Sequence, residues 1–275
     1  MLMSWMSNFL YVIAMCLRNS ALVPFFALRR PHYFIQCHLR AFTDGLLNLS
    51  LAYRPHIETI TLLQLQKLLQ GPRPQLHLNF ENKLGNINFM ESLAISYIVQ
   101  AMKARELFEI GTFDGFSTYH LAKNSPSDAK VYTLNLPVSA SFADYATTYS
   151  LWEYHGDRKA HELIPLRGIG SVYKTSDVAD KVSQLFGDSL SFDFSPYFAA
   201  MDLCFIDGGH TYTHVRSDTA NALKVLRPGG VILWHDYNMQ HREILRFLDE
   251  FAINNKLYHV EGTRLVLHLT PKQGQ

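Results

Sequence analysis

The run Asp202-Leu203-Cys204-Phe205-Ile206-Asp207-Gly208-Gly209-His210 decides how the rest of the chain is read. Four consecutive apolar residues between two aspartates have the length and make-up of a strand buried on both faces. Its C-terminal tip carries an acid, two glycines and a histidine. In open α/β folds, ligands bind outside the carboxyl ends of parallel strands. Asp207 and His210 are therefore expected to project into a functional edge. The alternative is that Asp207 caps a helix and His210 is an ordinary surface residue.

Working outward from this strand, the pattern stays regular. The spacing predicts a helix over Phe89–Met102, a strand over Glu106–Ile110 and a helix through Ser117–Ala122. Further strands are expected at Val131–Leu134, Val182–Phe186 and Val231–Trp234, with helices at Thr213–Leu226 and Arg242–Phe251. Leu257–Val260 and Arg264–Leu269, joined by Glu261-Gly262-Thr263, read as a closing hairpin. Strands alternating with helices imply a mostly parallel sheet with right-handed crossovers, and the hairpin inserts one antiparallel strand. Before residue 80 the chain is helical and aromatic-rich, and Gly71-Pro72-Arg73-Pro74 breaks it. This suggests an N-terminal helical extension or cap over residues 1–80 and an α/β domain over 81–275.

Two further stretches carry chemistry. Glu109-Ile110-Gly111-Thr112-Phe113-Asp114-Gly115-Phe116-Ser117-Thr118 lies between a strand and a helix. Gly111 and Gly115 permit a tight turn and close approach of backbone to a ligand, and Ser117 or Thr118 is expected to cap the helix. Glycines four apart are not the dinucleotide spacing, which argues against a nicotinamide-dependent oxidoreductase. Arg227-Pro228-Gly229-Gly230 then leads into Val231–Trp234 and His235-Asp236. Asp207, His235 and Asp236 thus stand at adjacent strand ends, where oxygen and imidazole donors could surround a divalent cation. The alternative is that Asp236 bonds a loop and His235 packs. Asn135 ends the second strand, where Rossmann-like folds place an acid for ribose hydroxyls. Gly187-Asp188-Ser189 follows the third and is equally common as turn chemistry.

EIGTFDGFST, LFGDS, FDFSPY, DLCFIDGGHTYTHVRSD, LRPGGVILWHDY and HVEGTRL together resemble the class I methyltransferases, and within them a bacterial group related to sugar and macrolide O-methyltransferases. The resemblance spans roughly residues 85–270. It implies a Rossmann-like α/β fold, a seven-stranded mostly parallel sheet with one antiparallel strand, and S-adenosylmethionine as methyl donor. By the same resemblance Glu109, Gly111, Thr112, Phe113, Gly115 and Ser117 lie on the cofactor loop. Asn135 falls at the ribose position, and Asp188 and Ser189 on the adenine side. Related magnesium-dependent enzymes take metal ligands from the positions of Asp207, His235 and Asp236 and a general base from that of His210. The His235 position is commonly a carboxylate there, and imidazole suits magnesium less well. The expected reaction is methylation of a small-molecule hydroxyl. A non-catalytic scaffold on the same fold, or a membrane-associated lipid methyltransferase, are the rival readings.

Composition sets the outer limits. The 275 residues are 48% hydrophobic and 18% charged, which suits a globular α/β domain with an elaborated end. A net charge of +1 gives no electrostatic case for nucleic acid, and Arg29, Arg30 and Arg40 are the sole basic cluster noted. Cys16, Cys37 and Cys204 are odd in number and scattered, so neither a disulfide framework nor a zinc-thiolate site is expected, and the cytoplasm is the default compartment. The apolar stretch from Trp5 to Leu17 is followed by Arg18-Asn19-Ser20, too soon for a spanning helix, and no Lys or Arg precedes it as a signal peptide requires. Residues 1–30 are instead expected to pack on their own domain, on a second subunit, or on a membrane surface. Acceptor choice is assigned to residues 1–80 and Pro137–Gly170, the latter rich in aromatics (Phe142, Tyr145, Tyr149, Trp152, Tyr154).

Overall fold

The computed structural model describes residues 56–272, apart from 72, 73, 82, 84, 138–165 and 239. Contacts divide the chain after Arg54, and residues 55–275 form one compact unit. The expectations for residues 1–30 and for most of Pro137–Gly170 lie outside the described residues.

The unit begins with β1 (Ile57–Ile60) and α1 (Leu62–Leu69), then α2 (Phe89–Met102), β2 (Glu106–Ile110), α3 (Phe116–Asn124) and β3 (Lys130–Asn135). It continues with a single turn, α4 (Ser171–Lys174), β4 (Val182–Phe186), β5 (Met201–Ile206), α5 (Tyr212–Val225), β6 (Leu226–Trp234) and α6 (Arg242–Ala252). The hairpin β7 (Leu257–Val260) and β8 (Val266–Leu269) closes it. The strands lie in the order β1-β7-β8-β6-β5-β2-β3-β4, with β8 antiparallel to both neighbours and every other pairing parallel.

The α/β, mostly parallel architecture with one antiparallel strand is as expected, but the sheet has eight strands and not seven. The extra one is β1, which adds to the outer edge of β7 with Ile57 opposite Leu257 and Ile60 opposite Val260. Ile57 and Ile60 are buried while Glu58 and Thr59 face out, so these four residues carry no alternating pattern, and Ile60 instead reads as the first apolar position of a helix. Thr61 separates the two elements. Its hydroxyl accepts from the Gln64 amide, and the Gln64 side chain returns the bond to the Thr61 N–H, a capping box that starts α1. The boundary expected at residue 80 therefore falls inside the unit.

The central strands follow from burial on both faces. Leu107, Leu203, Phe205, Val231 and Leu233 face one way, into a core shared with Leu65 of α1, Ile95, Ile98 and Val99 of α2 and Leu121 of α3. On the opposite face, the buried Trp234 indole donates to the Thr219 hydroxyl of α5 at 2.8 Å. β6 begins five residues earlier than expected. Arg227-Pro228-Gly229-Gly230 reads as a turn, yet it continues the strand beside β5 with a register shift between Met201 and Leu203. Among the described residues no helix is long and apolar enough to cross a membrane.

Candidate active site

Register places the site. Ile110, Ile206 and Trp234 lie side by side in β2, β5 and β6. The residues that follow, Gly111, Asp207 and His235, therefore leave the sheet together at its carboxyl edge. Backbone bonds tie the row: Asp207 donates to the Ile110 carbonyl at 2.8 Å and His235 to the Ile206 carbonyl at 3.0 Å. Gly111 has φ +102, and a Cβ built on it would sit 2.0 Å from the Asp207 carbonyl oxygen. No side chain fits there, which is the physical reason for glycine at that position.

The loop Gly111–Gly115 is held from beneath. Glu109 is fully buried, and both its oxygens accept from hydroxyls: Ser117 at 2.6 Å, Thr118 at 2.5 Å and Thr133 at 2.5 Å. Burial pushes its carboxyl up to about 7 against the lowering effect of these three bonds. Asn135 turns its Oδ1 inward to accept from the Thr112 and Phe113 amides, each at 3.1 Å. A strap from the other side completes the clamp. Gly170 donates to the Phe113 carbonyl, Val172 to the Asp114 carbonyl, and Arg167 pairs with Asp114 at 3.2 Å while lying over the Phe113 ring.

Several expected roles change here. Ser117 and Thr118 do not cap α3; Gly115 occupies the N-cap with φ +83, and both hydroxyls point back to Glu109. Asp188 closes its own turn by accepting from the Leu190 amide at 3.0 Å, although Gly187-Asp188-Ser189 does sit beside Asn135 on the same edge. Asp207 is not a helix cap, because Thr211 caps α5 by accepting from the His214 amide.

At the β5 and β6 tips the side chains form one charged network. His235 is buried, with Nδ1 2.9 Å from Asp207 and Nε2 3.1 Å from Glu91. Glu91 stands in the first turn of α2, is fully buried, and closes a capping box with Asn88. It also receives the Arg264 guanidinium at 3.0 and 3.1 Å and the Arg264 backbone N–H at 2.9 Å. Arg264 reaches on to Asp236 at 2.8 Å. Asp236 holds an unusual backbone for a non-glycine residue, φ +57. Its second oxygen lies 2.9 Å from His210 Nε2 and 3.7 Å from His241 Nε2. The His210 and His241 rings are 4.1 Å apart, centre to centre.

Charge states follow from these contacts. Burial alone would pull His235 down, but Asp207, Asp236 and Glu91 together push it up to about 10. Burial likewise opposes the charged forms of Glu91 and Asp236, yet His235 and the neighbouring cations hold both carboxyls well below their ordinary range. Glu91, Arg264 and His241 were not singled out by sequence.

Asp207, His235 and Asp236 bring one donor atom each within 4.8 Å of one another, as do His210, Asp236 and His241. The donor set nevertheless suits a magnesium ion poorly. Magnesium takes six oxygens at about 2.1 Å and keeps several waters. Here both nitrogens of His235 face carboxylates, and both oxygens of Asp236 already face protein donors.

Residues 108–237 match the family model described as methyltransferase domain. The domain resembles the O-methyltransferase TomG of Streptomyces achromogenes, involved in tomaymycin synthesis and solved with SAM (20% identity, 68% of this chain and 82% of that one, TM-score 0.46). It also resembles a Bacillus cereus O-methyltransferase solved with SAH (19%, 76% and 88%, TM-score 0.45). A third likeness is to the SAH-bound Podospora anserina methyltransferase PaMTH1 (14%, 68% and 80%, TM-score 0.45). No curated protein sequence matches the chain. The matched residues include the glycine loop, Asn135, Asp207, His210 and the His235-Asp236 tip, whereas Glu91, His241 and Arg264 lie outside them.

Proposed function

We propose that the protein moves a methyl group from S-adenosylmethionine to a hydroxyl oxygen of a small molecule. The observation that carries this reading is a single one. The residues that match the methyltransferase-domain model bring the glycine turn at Gly111, the Asp207 tip and the His210–Asp236 pair to one edge of the sheet. The Gly111–Gly115 loop, with its backbone clamped by Asn135, would take the amino-acid end of the donor. Asp188 and Ser189 would lie on its adenine side.

The acceptor oxygen attacks the sulfonium methyl in line, the sulfur–carbon bond breaks, and S-adenosylhomocysteine leaves. The donor supplies the reactivity, and the protein aligns the partners and removes one proton. His210 is assigned as the base. With Nε2–H directed at Asp236, the lone pair lies on Nδ1, a tautomer set by the partner. Asp236 is then a positioning residue for His210. Three carboxylates against the cations Arg264 and His235 leave one negative charge, which suits a cationic donor.

Isothermal titration with S-adenosylmethionine and S-adenosylhomocysteine tests the donor site directly. Release of S-adenosylhomocysteine across a panel of sugar, macrolide and phenolic hydroxyls tests the transfer. Absence of heat with both nucleosides would leave a non-catalytic scaffold as the correct description.

A further inference from the structure

We infer that this edge carries its own cations in place of a divalent metal, and that His235 and Arg264 make the site metal-independent. The inference rests on the methyl-transfer reading only for its consequence in catalysis; the charge arrangement stands on geometry alone.

Consider what the three carboxylates need. Glu91, Asp207 and Asp236 converge from α2, β5 and β6 on His235, and three buried or half-buried acids around one ring are unstable unless neutralised. One remedy is a bound divalent ion. The other is a pair of side-chain cations, and this chain contains them. Arg264 lays two guanidinium nitrogens on Glu91 and a third on Asp236. His235 sits between Glu91 and Asp207 with a ring nitrogen toward each. An imidazole flanked by carboxylates on both nitrogens must donate at both, because a carboxylate offers no proton at neutral pH. The ring is therefore an imidazolium.

The consequences for a metal are direct. To bind at Asp207, His235 and Asp236, the ion would have to strip a proton from His235 and break its bond to Asp207. Asp236 would have to release Arg264 or His210. The exchange adds two positive charges and removes one with the His235 proton, a net gain of one beside a guanidinium already fixed on Asp236. Like charge in a partly buried site is repelled far more strongly than in water. A carboxylate at the position of His235 would reverse this balance by exchanging a cation for a third ligand oxygen. His235 is the residue that decides between the two designs.

Two measurements on the wild-type protein test this. The first is titration of the EDTA-dialysed protein with manganese, read as the free-ion six-line EPR signal. The expected result is a signal unchanged by protein, with affinity weaker than about 1 mM. Stoichiometric loss of the free signal below that concentration overturns the inference. The second is nitrogen NMR of ring-labelled histidine at about pH 8, well above the ordinary histidine value. At least one ring retaining both protons is expected, and none doing so overturns the inference. Neither readout needs an acceptor. A protein that failed to bind S-adenosylmethionine would sink the proposed function and leave this inference untouched.

Discussion

Replacing Glu109 by Gln tests the clamp beneath the glycine loop. Glu109 is fully buried among three hydroxyls, and its carboxyl is pushed from 4.5 up to about 7. A folded-state value above the unfolded one means that the native protein binds more protons between the two. Stability contributed by the neutral acid is then full below about pH 4.5 and is lost as pH rises through 7. At about 1.4 kcal/mol per unit, the full effect is about 3 kcal/mol, of which about 2–3 kcal/mol falls between pH 5 and pH 8. Gln keeps the shape and does not titrate, and hydroxyls can reverse to accept from its amide. Glu109→Gln should therefore gain on the wild type by that amount from about pH 5 to about pH 8. Urea unfolding of both proteins across this range measures it. Asp218, also pushed up by burial to about 7, is common to both proteins and cancels in the difference. A difference that stays flat with pH, or that grows toward acid, would refute the buried-neutral assignment.

Other outcomes follow from the contacts around the same edge. Gly111→Ala forces a side chain into φ +102 and 2.0 Å from the Asp207 carbonyl, so the variant should lose more than about 2 kcal/mol in urea unfolding. Asn135→Ala strips the acceptor from two loop amides, costing about 1–3 kcal/mol and weakening S-adenosylmethionine binding by titration calorimetry. His210→Ala should lower kcat by about 10²–10⁴ while the donor Kd moves less than about threefold; undiminished turnover would remove it as the base. Asp236→Asn should cut kcat with little change in KM for the donor. An unaltered pH–rate profile in that variant would show that Asp236 does not position His210.

Much of this molecule is legible from its residues, for a physical reason. Strands buried on both faces, such as Leu203–Ile206 and Val231–Trp234, are forced to be continuous apolar runs. Their ends are marked because the chain must turn there, at Asp207-Gly208-Gly209 and His235-Asp236. The convergence of those ends with Gly111 follows from parallel pairing alone. What stays hidden is pairwise. Glu91 closes a capping box with Asn88, and nothing local says that it also receives Arg264 from 173 residues away. His235 reads as a metal donor until both its neighbours are known to be carboxylates. Asn135 stands where a ribose-binding acid is expected, but its carbonyl is turned to the loop amides. A side chain that serves the backbone looks the same in sequence as one that serves a ligand.

The pairing of Ile57 with Leu257 sets a schedule for synthesis. The first strand of the sheet leaves the ribosome some 200 residues ahead of the hairpin that receives it. At roughly 5–20 residues per second, that is a wait of about 10–40 s, with Ile57 and Ile60 unburied throughout. β1 is therefore the last parallel partner its neighbour can acquire, and once docked it replaces β7 as the outer strand of the sheet. A fragment started after this strand would instead present β7, with the faces of Leu257 and Val260 that Ile57 and Ile60 cover left open.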